Sequence, residues 1–369
     1  MRIITLGCGH IGSVLVKSLL DNLSNIEIVV SDSDLEKAKF ADRIAENISF
    51  LQLDASNPKL VSSLKDFDLA VGLAPGKLGY RTMKTCVQAG VDMVDLSFMA
   101  EDPITLNEEA SKANVTIIPD CGVAPGLSNI LVGRAVRMLD HVEDVVIMVG
   151  GIPNKPVPPL GYKITWCAED LIEEYTRKAK IAKDGKILEV DALSGLELVD
   201  FPDVGRLEAF YTDGVRTLHH SIKGVKNMWE KTLRYPGHAE KIKLLRDLDL
   251  FEEPARESTI ELLERRLSFP EIKDLVLLNV KVKGIKGDSE VTYTFSLLDR
   301  YDEKENISAM ARTTAYTASI LVKLLAEKAI DEKGVVPPEK LGMNDKLFDI
   351  IISELRKRGI EIKGVEKTI

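Results

Sequence analysis

The sequence predicts an α/β chain in two parts: a doubly wound parallel sheet, and a second α+β domain containing a mixed or antiparallel sheet. Three observations carry that prediction. Over the first 120 residues, apolar runs of four to six alternate with helical patterns, as parallel strands covered on both faces require. A glycine-spaced turn, Gly7-Cys8-Gly9-His10-Ile11-Gly12, joins the first run to the first helix in the manner of a Rossmann dinucleotide site. Two-residue alternation of apolar and polar side chains appears only late, around 276–297, and marks antiparallel strands packed on one side.

The elements follow in order. Residues 3–6 read as a strand, and 11–20 as a helix with apolar residues at 11, 14, 15, 16, 19 and 20. Strands are expected at 26–30, 48–53, 67–72, 91–94 and 115–118, with a charged helix near 35–45, a helix near 80–89 and a polar helix near 105–113. Six strands joined by right-handed crossovers make a doubly wound sheet. After residue 126 the texture changes. A strand is expected over 142–149, followed by an irregular connection through Pro153, Pro156, Pro158 and Pro159. A hairpin then pairs Val276, Leu278, Val280 and Val282 with Val291, Tyr293, Phe295 and Leu297 across a turn at 284–288. A long helix at 311–329, a break at Val335-Val336-Pro337-Pro338 and a last helix striped by Leu347, Ile351 and Leu355 close the chain. These closing helices are expected to pack on the first domain. The predicted domains are therefore 1–125 with 309–369, and 126–308.

Composition removes several classes of function. The 369 residues carry 49 Lys and Arg against 58 Asp and Glu, a net charge of −9, which argues against binding a phosphate backbone. No run approaches the ~18 apolar residues that span a bilayer, and Met1-Arg2 leads straight into residues 3–6 without a leader-like apolar stretch. Cys8, Cys86, Cys121 and Cys167 form no CxxC, and His141, His219 and His220 have no metal-ligand spacing, so no metal is expected. The expectation is a cytoplasmic protein with no nucleic-acid or membrane partner.

The glycine turn is the expected cofactor site. Gly7 permits the tight turn, Gly9 a close approach to a pyrophosphate, and Gly12 close packing of helix on strand; His10 and Ile11 contribute backbone N–H groups at the helix N-terminus. Asp32 follows Gly12 by 20 residues, where a carboxylate accepts from ribose hydroxyls. With Ser31, Ser33 and Asp34 beside it and no Arg following, it would repel a 2′-phosphate. NAD is therefore expected over NADP, with Lys37 and Lys39 as the cations that could oppose this. Ligands of open α/β sheets bind beyond the carboxyl ends of the strands. Asp54 and Ala55 should thus flank the adenine, Ala74, Pro75 and Gly76 the ribose and phosphates, and Asp95 and Cys121 the nicotinamide end, with Asp120 beside them at the end of the sixth strand.

The run Pro119-Asp120-Cys121-Gly122-Val123-Ala124-Pro125-Gly126-Leu127-Ser128-Asn129 resembles the G-x-x-P-G crossover of the saccharopine dehydrogenase-like family. So do Ala74-Pro75-Gly76, Thr165-Trp166 with Ile172-Glu173-Glu174-Tyr175, Leu233-Arg234-Tyr235-Pro236-Gly237-His238, and the tail Lys333-Gly334-Val335-Val336-Pro337-Pro338-Glu339. The resemblance implies a Rossmann domain joined to an α+β catalytic domain. With an NAD-type Asp32 it looks most like the family's lysine 6-dehydrogenases, since its saccharopine reductases use NADPH and other relatives act on carboxynorspermidine. It implies oxidative deamination of lysine at its ε-carbon, giving an aldehyde or its cyclic imine, ammonia and NADH. A secondary-amine substrate such as saccharopine or carboxynorspermidine is the second reading, and an NAD(H) sensor without turnover the third.

An amine dehydrogenase needs a cation for the substrate carboxylate, an acceptor for its ammonium, a proton carrier and an apolar wall. Arg234 supplies a bidentate fork, with Arg312 competing for that role. His238 could shuttle a proton near neutral pH, although it also precedes a helix; Asp95, a lysine or water are the alternatives. Glu169 and Glu173 could accept the ammonium, and Trp166 and Tyr235 could supply the wall. Cys121 suits close packing against the nicotinamide rather than covalent catalysis. An open sheet edge in the second domain suggests a homodimer.

Overall fold

The computed structural model describes residues 1–37, 48–57 and 59–368. β1 (Arg2–Leu6) leads through the glycine turn into α1 (His10–Asn22). β2 (Glu27–Asp32), β3 (Ser49–Gln52), α2 (Leu60–Leu64), β4 (Leu69–Gly72), α3 (Gly76–Ala89), β5 (Asp92–Asp95), α4 (Asn107–Lys112) and β6 (Thr116–Ile118) follow. Ile3, Ile4, Val30, Ala70, Val71, Met93 and Val94 are completely buried, so consecutive residues are covered on both faces of the sheet. Beyond the turn Leu35–Lys37, the helix expected near 35–45 lies outside the described residues, and so does Lys39. Gly90, at φ +76, ends α3: its N–H bonds Val87 O at 3.2 Å, and Val91 N–H bonds Cys86 O at 3.0 Å. That tight stop returns the chain into β5 and sets Asp95 at a strand end.

The chain continues through α5 (Leu127–Met138), β7 (His141–Pro153), α6 (Ala168–Thr176), β8 (Ala179–Lys183), β9 (Lys186–Val190), β10 (Glu197–Phe201) and β11 (Gly205–Thr212). Next come α7 (Leu218–Ser221), β12 (Asn227–Arg234), α8 (His238–Asp247), α9 (Arg256–Leu267), β13 (Asp274–Lys286) and β14 (Ser289–Arg300). It closes with α10 (Ala309–Ala326), β15 (Gly334–Val335), α11 (Pro338–Met343), α12 (Asp345–Lys357) and β16 (Lys363–Thr368). Residues 1–130 with 311–359 form one compact unit, and 131–310 with 360–369 the other.

Among the described residues the first unit holds a seven-stranded sheet in the order β15-β6-β5-β4-β1-β2-β3, with every pairing parallel. The order reverses at β1, which opens a crevice at the carboxyl ends of β1 and β4. The expected doubly wound sheet is present. β15 is an additional strand where the sequence showed only a proline break.

The second unit holds a nine-stranded mixed sheet among the described residues. β12 runs parallel to β7, and the other pairings in it are antiparallel. The expected hairpin is β13–β14, but pairing continues to Lys286↔Ser289, so the turn shrinks to Gly287-Asp288 with Gly287 at φ +58. β16 pairs with β14 from Val291↔Thr368 to Ser296↔Lys363. That pairing carries 360–369 into the second unit, whereas the sequence reading placed them in the first. Leu171, Ile172 and Tyr175 on α6 pack with Tyr162, Phe210, Ile242 and Phe251 in one apolar cluster. Fully buried large side chains contribute roughly 1.5–3 kcal/mol each, and this stripe fixes where the charged face of α6 points.

Candidate active site

The first unit carries the cofactor candidates. Gly7 stands at φ +118, and a Cβ there would lie 2.7 Å from Leu73 O. A Cβ on Gly12 would lie 3.1 Å from Leu73 Cδ1, a tight contact with a movable side chain, so backbone packing requires glycine at Gly7 and favours it at Gly12. Gly9 is different: an added Cβ meets nothing within 4 Å, which leaves the open cradle a pyrophosphate needs. Gly9 also caps α1 without a side-chain hydrogen bond, and no acidic residue occupies the first turn, so the positive end of the helix faces no resident carboxylate there. A dinucleotide therefore fits here, held by the backbone of residues 7–12. Gly7→Ala should lower calorimetric stability by about 2 kcal/mol through backbone strain. Gly9→Ala should leave stability unchanged while weakening dinucleotide binding about tenfold; equal stability losses in the two variants would refute the distinction.

Asp32 ties the turn to β2: Oδ2 accepts from Cys8 N at 2.8 Å and Oδ1 from Asp34 N at 3.0 Å. Burial, then Asp32, raises the Cys8 thiol pKa, while the Lys37 charge pulls it down, so Lys37 reaches this turn electrostatically. Asp54 is exposed and accepts from Ser56 N at 2.7 Å; hydrogen bonds from Ser56 hold its carboxyl below the usual range. Ala55 and Pro75 are half-buried, and Ala74 and Gly76 are buried around the start of α3.

Asp95 is completely buried at the end of β5, and its Oδ2 accepts from both the N–H and the hydroxyl of Ser97. A Cβ on Gly72 would collide with Asp95 Oδ1, so the bare glycine makes its place. The Cys121 thiol bonds back to Ile118 O at 3.1 Å, and burial, then Asp95 and Asp120, push its pKa well up, which makes it an inert packing group. Arg312, the expected rival of Arg234, instead closes the end of α12, donating to Arg358 O at 3.3 Å and Gly359 O at 3.4 Å.

The second unit gathers a buried polar cluster. Glu208, Phe210 and Thr212 on β11 lie opposite Arg234, Thr232 and Glu230 on β12. Arg234 is buried; its guanidinium donates to Glu174 Oε2 at 2.6 Å and Leu233 O at 3.0 Å, and stacks 4.6 Å from the Tyr162 ring centre. Burial opposes its charge, yet Glu174 holds its pKa above the ordinary guanidinium value. Glu208 accepts from the N–H groups of Gly237 and Ala239, which pins the start of α8 and with it His238.

His238 is fully enclosed. Its Nδ1 lies 2.9 Å from Leu160 O, and its Nε2 lies 2.9 Å from the Tyr175 hydroxyl. A carbonyl only accepts, so Nδ1 carries the hydrogen and Nε2 receives one from Tyr175. Burial, then the Arg234 charge, push its pKa down to about 3. The residue expected to shuttle protons thus has both nitrogens engaged, Nδ1 with Leu160 O and Nε2 with the Tyr175 hydroxyl.

The remaining expectations separate in space. Trp166 packs with Tyr162 and Tyr175, whereas Tyr235 packs with Ile152, Leu207 and Leu275 and donates to Pro153 O at 2.9 Å. They belong to different apolar clusters. Glu169 is half-buried on α6, where Glu173 pairs with Arg256; the carboxylate on Arg234 is Glu174. Sequence reasoning missed Glu174, Tyr175, Glu208, Thr212, Glu230 and Thr232 as parts of this cluster.

Residues 3–118 match the family model described as the saccharopine dehydrogenase NADP binding domain, and residues 122–360 that of the saccharopine dehydrogenase C-terminal domain. The chain is 21% identical to saccharopine dehydrogenase [NADP(+), L-glutamate-forming] of Pyricularia oryzae, covering 98% of each. It is 22% identical to the mitochondrial alpha-aminoadipic semialdehyde synthase of Mus musculus, over 97% of this chain but 47% of that protein, so it spans about half the length of that relative. A carboxyaminopropylagmatine dehydrogenase of Synechocystis is 22% identical over 61% of this chain and 60% of its own. The solved apo saccharopine dehydrogenase (L-Glu forming) from Saccharomyces cerevisiae has the same fold, with TM-score 0.80 at 19% identity, covering 100% of this chain and 99% of that one.

Proposed function

The chain belongs to the saccharopine dehydrogenase family, and from that premise we propose that it transfers hydride between a nicotinamide dinucleotide and a nitrogen-bearing carbon of an amino acid. The observation that carries the reading is one chain with both an open glycine cradle and a buried guanidinium on the strand end at Arg234. When bound, the dinucleotide accepts or returns the hydride. The protein's part is to orient the substrate and manage protons. Arg234 takes the substrate carboxylate, and Asp95 is the proton carrier in this reading.

Lysine oxidised at its ε-carbon is the first substrate proposed, with NAD as the cofactor. Asp32 and Asp34 support NAD by repelling a 2′-phosphate, although the matching family model is described as NADP-binding and Lys37 acts in the opposite direction. Asp32→Ser should lower kcat/KM with NAD about 10–100-fold, the worth of a charged hydrogen bond to ribose, and narrow the gap to NADP. A wild-type preference for NADP would refute the assignment.

The names of the relatives favour a second reading, a secondary amine of the saccharopine or carboxyaminopropylagmatine kind. One assay separates the two. Purified protein is mixed with NAD or NADP and lysine, saccharopine or lysine plus 2-oxo acids, while reduced cofactor and ammonia are followed. Ammonia with NADH from lysine alone supports the first reading, and turnover confined to conjugates the second. Cofactor binding with no turnover would leave only a sensor. The proposed protein is a cytoplasmic homodimer, which light scattering would show as twice the mass of the chain.

A further inference from the structure

Glu230 is buried, and neither the dinucleotide cradle nor the Arg234 reading uses it. Its carboxyl lies over Gly214, where a Cβ would fall 1.7 Å from Oε1, so glycine there is what admits it. Its Oε1 is 3.5 Å from Thr212 Oγ1, the longest link of a chain. Thr212 Oγ1 is 3.0 Å from Thr232 Oγ1, which donates to Glu174 Oε1 at 2.9 Å. Among the described residues, Glu230 Oε2 has no hydrogen-bond partner.

Hydrogen counting decides the state of this chain. Three oxygen–oxygen gaps separate the two carboxyl groups, and the two threonine hydroxyls bring only two hydrogens. With Thr232 donating to Glu174 and Thr212 to Thr232 across the two shorter gaps, no hydroxyl hydrogen is left for Glu230. Glu174 is the anion of the Arg234 ion pair, and a buried carboxyl left without a donor is held neutral, so Glu230 keeps a proton that faces Thr212 across the 3.5 Å gap.

We infer that Glu230 stores a proton which Thr212 and Thr232 relay to Glu174, releasing Arg234 to take the carboxylate of an amino-acid substrate. This rests on the reading of Arg234 proposed above. In the relay the Glu230 O–H breaks as Thr212 gains that hydrogen, the Thr212 hydrogen passes to Thr232, and the Thr232 hydrogen passes to Glu174. Three O–H bonds break and three form; the negative charge moves from Glu174 to Glu230, and nothing is oxidised. Glu230 is thus a positioning residue that acts through Arg234. Its charged surroundings agree. Burial first, then Glu174 on α6 and Asp213 after β11, push its pKa up to about 8, with the Arg216 charge opposing them.

Two measurements test this. Infrared difference spectra of the ligand-free protein at pH 7 should show a protonated-carboxyl C=O band in wild type that Glu230→Gln abolishes. Its absence overturns the stored proton whatever the substrate is. In the turnover assay with lysine and saccharopine, Thr232→Val and Glu230→Gln should each raise the substrate KM about tenfold with kcat nearly unchanged. Thr232→Ser should restore the wild-type value. Above pH 8, where Glu230 loses its own proton, wild type should approach Glu230→Gln. Unchanged KM in Thr232→Val, or a kcat loss that serine does not rescue, overturns the relay. A clear band with no turnover of either substrate would instead overturn the reading of Arg234, and the release of Arg234 with it.

Discussion

Replacing Arg234 with alanine is expected to lower the stability of the second unit by about 3–5 kcal/mol, the range seen when one partner of a buried ion pair is removed. An intact buried pair adds little over a well-packed apolar pair, because desolvation consumes most of the Coulomb gain. Breaking it leaves an uncompensated charge. Here the stranded group would be Glu174, whose side chain is 12% exposed, with Glu230 close by and the Tyr162 face unstacked. Arg234→Lys keeps a charge but not the flat fork that reaches Glu174 and Leu233 O while lying on Tyr162, so about 1–2 kcal/mol is expected. Urea titration followed by tryptophan fluorescence reads this selectively. The chain has two tryptophans, Trp166 and Trp229, and both lie in the second unit. A loss below about 1 kcal/mol in Arg234→Ala would place the pair in the class of surface salt bridges and remove the energetic basis of the buried cluster.

How much of this could be read in advance depended on whether a demand was local. Gly7, Gly9 and Gly12 recur at fixed spacing within one βα turn, so the turn could be recognised from spacing alone, although the residue that crowds Gly7 and Gly12 is the distant Leu73. The parallel strands were visible for the same reason, since Ile3, Ile4, Val71 and Val94 need cover on both faces. The polar cluster is a different case. Along β12, Glu230, Thr232 and Arg234 alternate with Trp229, Lys231 and Leu233, a pattern that reads as a strand with a solvated face. In the fold that face is buried, because α6 brings Glu174 and Tyr175 to it from some 60 residues away. Nothing within the strand announces that partner. Some signals were local and overlooked: Asp184-Gly185, at φ +50 and +75, is the two-residue turn of the β8–β9 hairpin. β16 has six exposed residues and no apolar stripe, so only its pairing with β14 reveals it as a strand.

The pH dependence of stability gives the second large effect, and its sign follows from two buried groups that work in opposite directions. Glu230 binds its proton more tightly when folded, up to about 8 against the ordinary 4.5, so its contribution falls as pH rises through that window. His238 binds its proton less tightly when folded, down to about 3 against 6.5, so its contribution rises with pH between those values. Each slope reaches ~1.4 kcal/mol per pH unit. Between pH 4.5 and 6.5 the two cancel, and between 6.5 and 8 Glu230 alone acts. Wild-type stability should therefore be flat through mildly acidic pH and decline towards pH 8. Glu230→Gln removes the falling slope and leaves the rise due to His238, followed by a plateau above pH 6.5. The gap between the two curves should change by ~2–5 kcal/mol from pH 5 to pH 8.5 in favour of the variant. Urea titrations read by Trp166 and Trp229 at half-unit pH steps measure it, and the difference between curves cancels every group the two proteins share. Parallel curves would mean that Glu230 ionises in the folded chain as it does in water. The Thr212–Thr232 bridge would then lack its third hydrogen.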